Sequence, residues 1–511
     1  MAARNHTAGG LLRLPLFLLI WGVACLAMWV PATHAVILND HPTSQSFFFS
    51  GLLGLFVIAV IALSLGNKMP RYGMPGQLLS LLATFAVLPL FLALPVQDAL
   101  KNTSFLNAYF DMVSAVTTTG ADIFADPGRL PPSVHLWRAI VGWLGGLLMW
   151  IAASAVLAPM FLGGFEVTAK GEPGGGGATP VLMQKADPRR QLITVARTLT
   201  PVYFALTLVL WTLLMMTGSK SLAGLTHAMS VMATSGISSV GGTEAANSGM
   251  AGEMVMFLFM FFALSRLTFS SDTVSTGDGR LDRDPEFRSG LLIVLGVPTL
   301  LFLRHWLATF EVNNAEDGMQ ALRAFWGALF TVMSFLSTTG FESADWEAAG
   351  QWSGLETPGM ILLGLSLIGG GVATTAGGVK LLRVYALYLN GLGEMERLVH
   401  PSSVSGEGAG NRRLQKNGAF VAWIFFMLFA LSLALISTVL AALGTDFETS
   451  LILAVSALST TGPLTEVAAS EPIMLWQLVP SAKLVLCFAM VLGRLETLAI
   501  IALLSPNLWR S

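Results

Sequence analysis

Thr118-Thr119-Gly120-Ala121 decides the fold of this 511-residue chain, because it returns three more times: as Thr234-Ser235-Gly236-Ile237, as Thr338-Thr339-Gly340-Phe341 and as Thr460-Thr461-Gly462-Pro463. Each copy closes a half-apolar stretch too short to cross a bilayer, and each is bracketed by two stretches long enough to do so. The copies lie roughly 100 to 120 residues apart, well beyond solenoid periods of about 20–50 residues. The repeated unit is therefore a membrane module, not a helix pair in an array.

Composition agrees. Hydrophobic residues make up 54% of the chain and charged residues 11%, against roughly 25% charged in an average soluble domain, which excludes a soluble protein. The net charge is −2 and no basic face or tail is present to neutralise phosphates, which excludes nucleic acid as a partner. Cys25 and Cys487, the only cysteines, sit in apolar runs and read as small buried hydrophobes, leaving no disulfide framework and no Cys metal site. The seven histidines have no transition-metal ligand spacing, and His227, on a predicted pore helix, is the candidate proton-sensitive site among them. The Gly/Pro-rich stretch 171–180 reads as a flexible loop, since neither a preceding strand nor Gly-Lys-Ser/Thr marks it as a phosphate cradle.

Runs of spanning length fall near 11–31, 47–66, 78–97, 134–163, 198–217, 252–271, 289–310, 357–390, 418–443 and 474–504, ten in all. The first is read as a span, with a cleaved secretory signal as the competing reading, because Pro31-Ala-Thr-His34 is a poor cleavage site. The expected fold class is an all-α polytopic membrane protein: four pseudo-repeated helix–pore loop–helix modules preceded by two extra transmembrane helices. The expected divisions are the two N-terminal helices over 1–77, pore modules over 78–170, 198–272, 289–390 and 417–511, and loops at 171–197 and 391–416. Lys68, Arg71, Lys170, Lys185, Arg189, Arg190, Arg197, Arg280, Arg283, Arg288, Arg397, Arg412, Arg413 and Lys416 gather on one side, with Arg4, Arg13 and Arg510. By the positive-inside rule that side, with both termini, is cytoplasmic. Glu311, Glu316, Asp317, Glu342, Asp345 and Glu347 then form an acidic approach on the outside, or ordinary solvated loop charge.

The chemistry lies in what precedes each copy. Short helices over 106–117, 223–233, 323–337 and 448–459 would re-enter from outside and aim their negative C-terminal ends at the membrane centre. Four such helices around an axis favour a cation there. The Thr/Ser-Gly run after each is expected to be extended, with Gly permitting unusual backbone angles and inward carbonyls replacing an ion's hydration shell. The 357–390 span is too long for one straight helix and is broken at Gly369–Gly378, so irregular backbone there is expected to face a pore. Arg494 is an ionisable residue inside an apolar helix, a functional candidate by default, with an ion pair to Glu496 or snorkelling as its other readings. Arg266 and Lys380 are lesser candidates.

From about residue 78 to the end, the chain resembles the Trk/Ktr/HKT superfamily of potassium transporters, most closely its TrkH branch. The resemblance rests on the four copies, Trp143-Leu-Gly-Gly146, the Gly-interrupted 369–380 and Gly493-Arg-Leu-Glu496. It implies a pseudo-fourfold pore in each subunit, a homodimer in the bacterial inner membrane, potassium as the transported ion, no bound cofactor, and a cytoplasmic nucleotide-binding regulatory subunit of the TrkA type. It assigns the selectivity filter to Thr118, Thr119, Gly120, Thr234, Ser235, Gly236, Thr338, Thr339, Gly340, Thr460, Thr461 and Gly462. It assigns an intramembrane gate to Gly370, Gly371, Thr374, Thr375 and Gly377, with Arg494 as the arginine below the filter. A Ser in place of Gly120 would resemble sodium selectivity, and Gly is retained. The second copy departs from the family's Thr-Gly-Gly-Phe, which bears on how tightly potassium is preferred over sodium.

Three other functions compete. Proton- or sodium-coupled symport needs buried carboxylates, of which Asp111 and Glu496 are the main ones within the predicted membrane segments. An intramembrane hydrolase could use Ser235 with His227 as base, yet no Gly-x-Ser-x-Gly elbow exists and a fourfold echo has no purpose in a single-site enzyme. A non-conducting scaffold would have no use for Gly120. The cytoplasmic connections are too short for a globular domain of about 50 or more residues, so regulation is expected from a separate protein.

Overall fold

The computed structural model describes residues 14–65, 74–124, 126–157, 188–265, 284–308, 318–355, 357–399, 409–469 and 471–496, which contain helices and no strand. Of the Lys/Arg residues expected in cytoplasmic loops, Lys68, Arg71, Lys170, Lys185, Arg280 and Arg283 lie outside these residues, as do Glu311, Glu316, Asp317 and Arg266.

Helices α1 (Leu16–Ala27) and α2 (Trp29–Ile37) follow one another with only Met28 between them and act as one span. Pro31, weighed as part of a cleavage site, is buried inside α2. Helix α3 (His41–Leu65) packs back on both through glycines: a Cβ on Gly54 would fall 2.4 Å from Cys25 Sγ. Cys25 is thus buried packing material, as is Cys487. Helices α4 (Met74–Ala86) and α5 (Leu88–Leu100) form a second composite span, interrupted at Val87 where Pro89 supplies no N–H to continue the ladder.

The four copies each follow a helix: α6 (Phe105–Val116), α9 (Ser221–Ala233), α12 (Gly318–Leu336) and α17 (Phe447–Leu458). Helices α7 (Pro132–Ala152), α8 (Pro188–Met216), α10 (Gly249–Met260) and α11 (Pro285–Ala308) intervene. After the third copy come α13 (Trp346–Ser353), α14 (Gly359–Ile368), α15 (Leu381–Val399) and α16 (Ala409–Ala442); after the fourth, α18 (Leu464–Val467) and α19 (Pro480–Leu495). Helix α12 starts earlier than expected. Ser104 caps α6 by accepting from Asn107 N at 3.3 Å, and Asp446 caps α17 by accepting from Thr449 N at 3.0 Å, so both helices have a defined start.

Seven helical stretches among the described residues are long and apolar enough to cross a membrane. The other three expected spans, 252–271, 357–390 and 474–504, are the ones that follow the second, third and fourth copies. Helix α10 passes into a 3-10 turn at Phe261–Ala263, the third expected span breaks between α14 and α15, and α19 is described as far as Glu496.

The short helices sit inside the bundle. All seven residues from Phe110 to Val116 of α6 are buried, as are those from Ile452 to Leu458 of α17, a pattern that only a helix surrounded by others can carry. Between lipid-facing helices there is no hydrophobic driving force, so close packing of small residues holds the assembly. A Cβ on Gly145 of α7 would fall 2.1 Å from Val116 O, and one on Gly493 of α19 2.3 Å from Leu458 O. These glycines let each following helix lie directly on the end of a short helix.

Candidate functional site: a ring of four turns and the loop beside it

Each short helix ends on a threonine in the left-handed region: φ is 55° at Thr118, 51° at Thr234, 58° at Thr338 and 54° at Thr460. A β-branched residue resists that conformation at a cost on the order of 1–3 kcal/mol, so its fourfold recurrence marks one strained turn built four times. The turn is a Schellman cap. The N–H groups of Thr119, Ser235, Thr339 and Thr461 donate to the carbonyls of Ser114, Ser230, Ser334 and Ser456 at 2.8, 3.0, 2.8 and 2.9 Å. The expectation of a fully extended run fails at its first residue, because capping the helix end takes precedence. The caps also consume carbonyls that were expected to be free at the helix ends.

The glycines serve two purposes. Gly120, Gly236 and Gly340 have φ of 70°, 65° and 84°, whereas Gly462 is not among the positive-φ residues and is required by space alone. A Cβ on Gly462 would fall 2.0 Å from Ala121 N. Equivalent Cβ atoms would meet Ser235 O at 1.8 Å from Gly120, Thr339 O at 2.6 Å from Gly236, and Pro463 Cγ at 2.8 Å from Gly340. Each copy therefore touches the next and the last touches the first, so the twelve expected filter residues come together in one closed ring.

Hydroxyl pairs brace three of the four turns: Thr117 with Thr119 at 2.8 Å, Ser337 with Thr339 at 2.8 Å, and Ser459 with Thr461 at 3.3 Å. The second turn has Ala233 there, and Ser235 bonds Ser230 instead, at 3.1 Å. Gly146 makes room for that alanine, since a Cβ on the glycine would lie 2.8 Å from Ala233 Cβ. The serines were missed in the sequence, although one stands four residues before each leading threonine: Ser114, Ser230, Ser334 and Ser456. Ser114 Oγ donates to Ala121 O at 3.0 Å and Ser334 Oγ accepts from Phe341 N at 2.7 Å, tying each helix to the far side of its turn.

Beyond the glycines the exits are held by charge. Arg138 of α7 pairs with Asp111 at 2.9 Å and Asp122 at 3.0 Å. Glu253 of α10 accepts from Ser343 Oγ at 2.7 Å, Ala344 N at 2.7 Å and Trp326 Nε1 at 2.9 Å. Burial, and then the neighbouring Glu466, push the Glu342 carboxyl up to about 7; burial, and then Asp122, do the same for Glu466. His227 is bonded to Ser238 at 2.8 Å, not to Ser235, which removes the proposed nucleophile–base pair.

On the threonine side of the ring lies the broken span, and its loop is packed as closely as backbone allows. Gly371 N donates to Ala263 O at 2.9 Å, and Val372 N to the buried Glu286 Oε1 at 2.9 Å. Thr374 Oγ1 donates to Gly371 O at 2.7 Å, Thr375 Oγ1 to Met232 O at 3.3 Å, and Gly377 N to Thr338 Oγ1 at 2.8 Å. A Cβ on Gly370 would meet Ala263 O at 2.6 Å, and one on Gly371 would meet Leu264 O at 2.4 Å. Arg494 Nη1 donates to Thr375 O at 2.7 Å, while its Nε and Nη2 have no hydrogen-bond partner among the described residues. The reading of Arg494 as an ion pair with Glu496 is corrected: Glu496 pairs with Arg383 at 2.7 Å, and Arg383 lies 3.6 Å over the Phe425 ring. Lys380 Nζ turns back to Ala376 O. The expected gate residues thus meet Arg494 in one cluster. A narrow cavity of about 20 Å³ adjoins them, lined by Trp150, Tyr203, Met232, Phe259, Thr374 and Thr375.

Apolar helices enclosing a ring of four equivalently capped, hydroxyl-rich turns define a polytopic membrane transport protein, not an enzyme. The family model TrkH, described as a cation transport protein, matches residues 81–511, and the chain belongs to that family. It is 31% identical over 418 residues to the Trk system potassium uptake protein TrkH of Vibrio parahaemolyticus, covering 80% of this chain and 81% of that one. It is 26% identical over 496 residues to the protein of the same name from Escherichia coli K12, covering 94% and 96%. The crystal structure of the potassium transporter TrkH from Vibrio parahaemolyticus superposes with a TM-score of 0.76 at 25% identity, covering 97% of this chain and 98% of that one.

Proposed function

We propose that the chain takes up potassium across a bacterial inner membrane through the ring of four turns, with the Gly370–Gly377 loop as its gate. The observation that carries this reading is the closed ring itself: four equal caps deliver carbonyls and hydroxyls to one place from which water is largely excluded. Rings of backbone carbonyls replace the hydration shell of a desolvated ion. The relatives' names, potassium uptake proteins of a Trk system, supply the ion. The loop stands against the threonine side of the ring, with Gly377 N on Thr338 Oγ1, and Arg494 holds it by Thr375 O. The protein works as a homodimer, with both termini and the Lys/Arg-rich loops cytoplasmic, under a nucleotide-binding regulatory subunit of the TrkA type.

Passive conduction is favoured over coupled symport. Two buried carboxylates beyond those expected, Glu253 and Glu286, join Asp111 and Glu496, and all four are engaged by donors or cations. A less selective potassium/sodium pore is the second reading, carried by the missing hydroxyl at Ala233. The test is flux through purified protein in liposomes with potassium, rubidium and sodium, repeated with Gly120→Ser. The variant is expected to lose potassium and rubidium flux while keeping more of its sodium flux. Equal loss of all three ions in a variant that keeps the parent's thermal stability would defeat the filter assignment, and a reversal potential that moves with a pH gradient would restore symport.

A further inference from the structure

We propose that Thr338 is a latch between ring and gate, so that a closed loop and a cation at the threonine end of the ring exclude one another. The inference rests on the filter and gate readings above and adds a coupling between them. The four leading threonine hydroxyls are chemically unequal. Thr234 Oγ1 donates to its neighbouring carbonyl, Ala233 O, at 2.7 Å. Thr118 Oγ1 and Thr460 Oγ1 are buried and have no hydrogen-bond partner among the described residues. Thr338 Oγ1 alone accepts from the loop, taking the Gly377 N–H at 2.8 Å.

Gly377 also crowds the neighbouring turn. A Cβ there would lie 2.1 Å from Ser459 O and 2.3 Å from Thr460 Oγ1, so the loop backbone fills the space between the third and fourth copies. Unpartnered buried hydroxyls are costly and suit a desolvated cation, which draws on oxygen lone pairs. The Gly377 N–H carries partial positive charge into the same place and uses the same kind of lone pair. Closure therefore weakens cation binding at this end of the ring. By thermodynamic reciprocity, a bound cation weakens closure by the same factor. The gate thus senses whether the ring is loaded. The other tethers, Thr375 to Met232 and Arg494 to Thr375, leave the ring's hydroxyls untouched, so the latch can be separated from them.

The test compares Thr338→Val with Thr118→Val, which make the same chemical change with and without the loop contact, and includes Thr338→Ser as rescue. Rubidium flux into liposomes is measured against rubidium concentration. Thr338→Val strands the Gly377 N–H and is expected to raise basal flux roughly fivefold or more, with Thr338→Ser returning it to normal. Thr118→Val is expected to weaken apparent rubidium affinity and so to lower flux at low rubidium, the opposite of the rise in Thr338→Val. If Thr338→Val behaves like Thr118→Val, the latch is overturned while the filter stands. If neither valine variant changes the affinity, the filter reading itself fails. Should Thr338→Val not fold, Thr374→Cys decides: thiol labelling is expected to speed up severalfold in potassium over N-methylglucamine, and an equal rate in both overturns the proposal.

Discussion

Ser334 illustrates how one hydroxyl can set the shape of the ring. It is fully buried and accepts the Phe341 N–H at 2.7 Å, which fixes the residue just after Gly340. Ser334→Ala leaves that N–H unsatisfied, a cost of roughly 1–3 kcal/mol, and frees the third turn to relax. The expected outcome is a several-fold fall in the rubidium-to-sodium flux ratio with total flux retained, read in liposomes; an unchanged ratio would show that the turn is held by its cap alone. The serine was legible in the sequence once the four copies were aligned, since its offset from the threonine never varies. The left-handed threonines were not legible, because a β-branched residue is the last that local preference would choose for that conformation. Only the demand to cap a buried helix end imposes it.

At the scale of the element, glycines decide how helices meet the ring. Gly493 on α19 and Gly145 on α7 lie against the carbonyls of Leu458 and Val116, each two residues before a leading threonine. Gly493→Ala inserts a methyl where 2.3 Å separates a Cβ from Leu458 O, so either α17 or α19 must shift. Overpacking of this kind costs typically about 1–3 kcal/mol. The purified variant is expected to melt several degrees lower and to conduct less, measured by thermal unfolding in detergent and by flux; a variant as stable and active as the parent would mean that the two helices can separate freely. The break between α14 and α15 belongs to the same scale. Its glycine content announced irregular backbone, but the partners that hold it, Ala263, Glu286, Met232 and Thr338, come from segments between 39 and 143 residues away in sequence.

At the scale of the molecule, the field at the glycine side of the ring is set by three exits. Asp122, Glu342 and Glu466 follow the first, third and fourth copies, with Arg138 beside Asp122; Ser238 and His227 stand at the second. Glu342 and Glu466, both held up to about 7, are ionised above that pH and neutral below it. Negative charge in a mouth concentrates cations, so flux at low salt is expected to fall as the pH on that side drops from 8 to 6. Glu342→Gln combined with Glu466→Gln is expected to flatten the profile at the low-pH level, and a profile that keeps its shape would assign the titration elsewhere. The acidic approach read from the sequence was centred on residues 311–317 and 342–347, of which 311–317 lie outside the described residues. Glu466 belongs to it by position in space and not in sequence.

The sequence by itself determined the membrane class, the fourfold repetition, the short helices and the residues of the four turns, because hydropathy and repetition are written in one dimension. The tertiary structure alone decided what each copy does within the ring. It made Gly462 a matter of space alone and the other three glycines a matter of φ as well, and it turned Ser235 toward Ser230, where the second turn has Ala233 and no hydroxyl beside it. It also gave Glu496 to Arg383 and left Arg494 to the loop carbonyl. Such assignments depend on which distant groups share a buried site. A buried charge takes the partner that packing brings within reach, and chain proximity has no say in that choice.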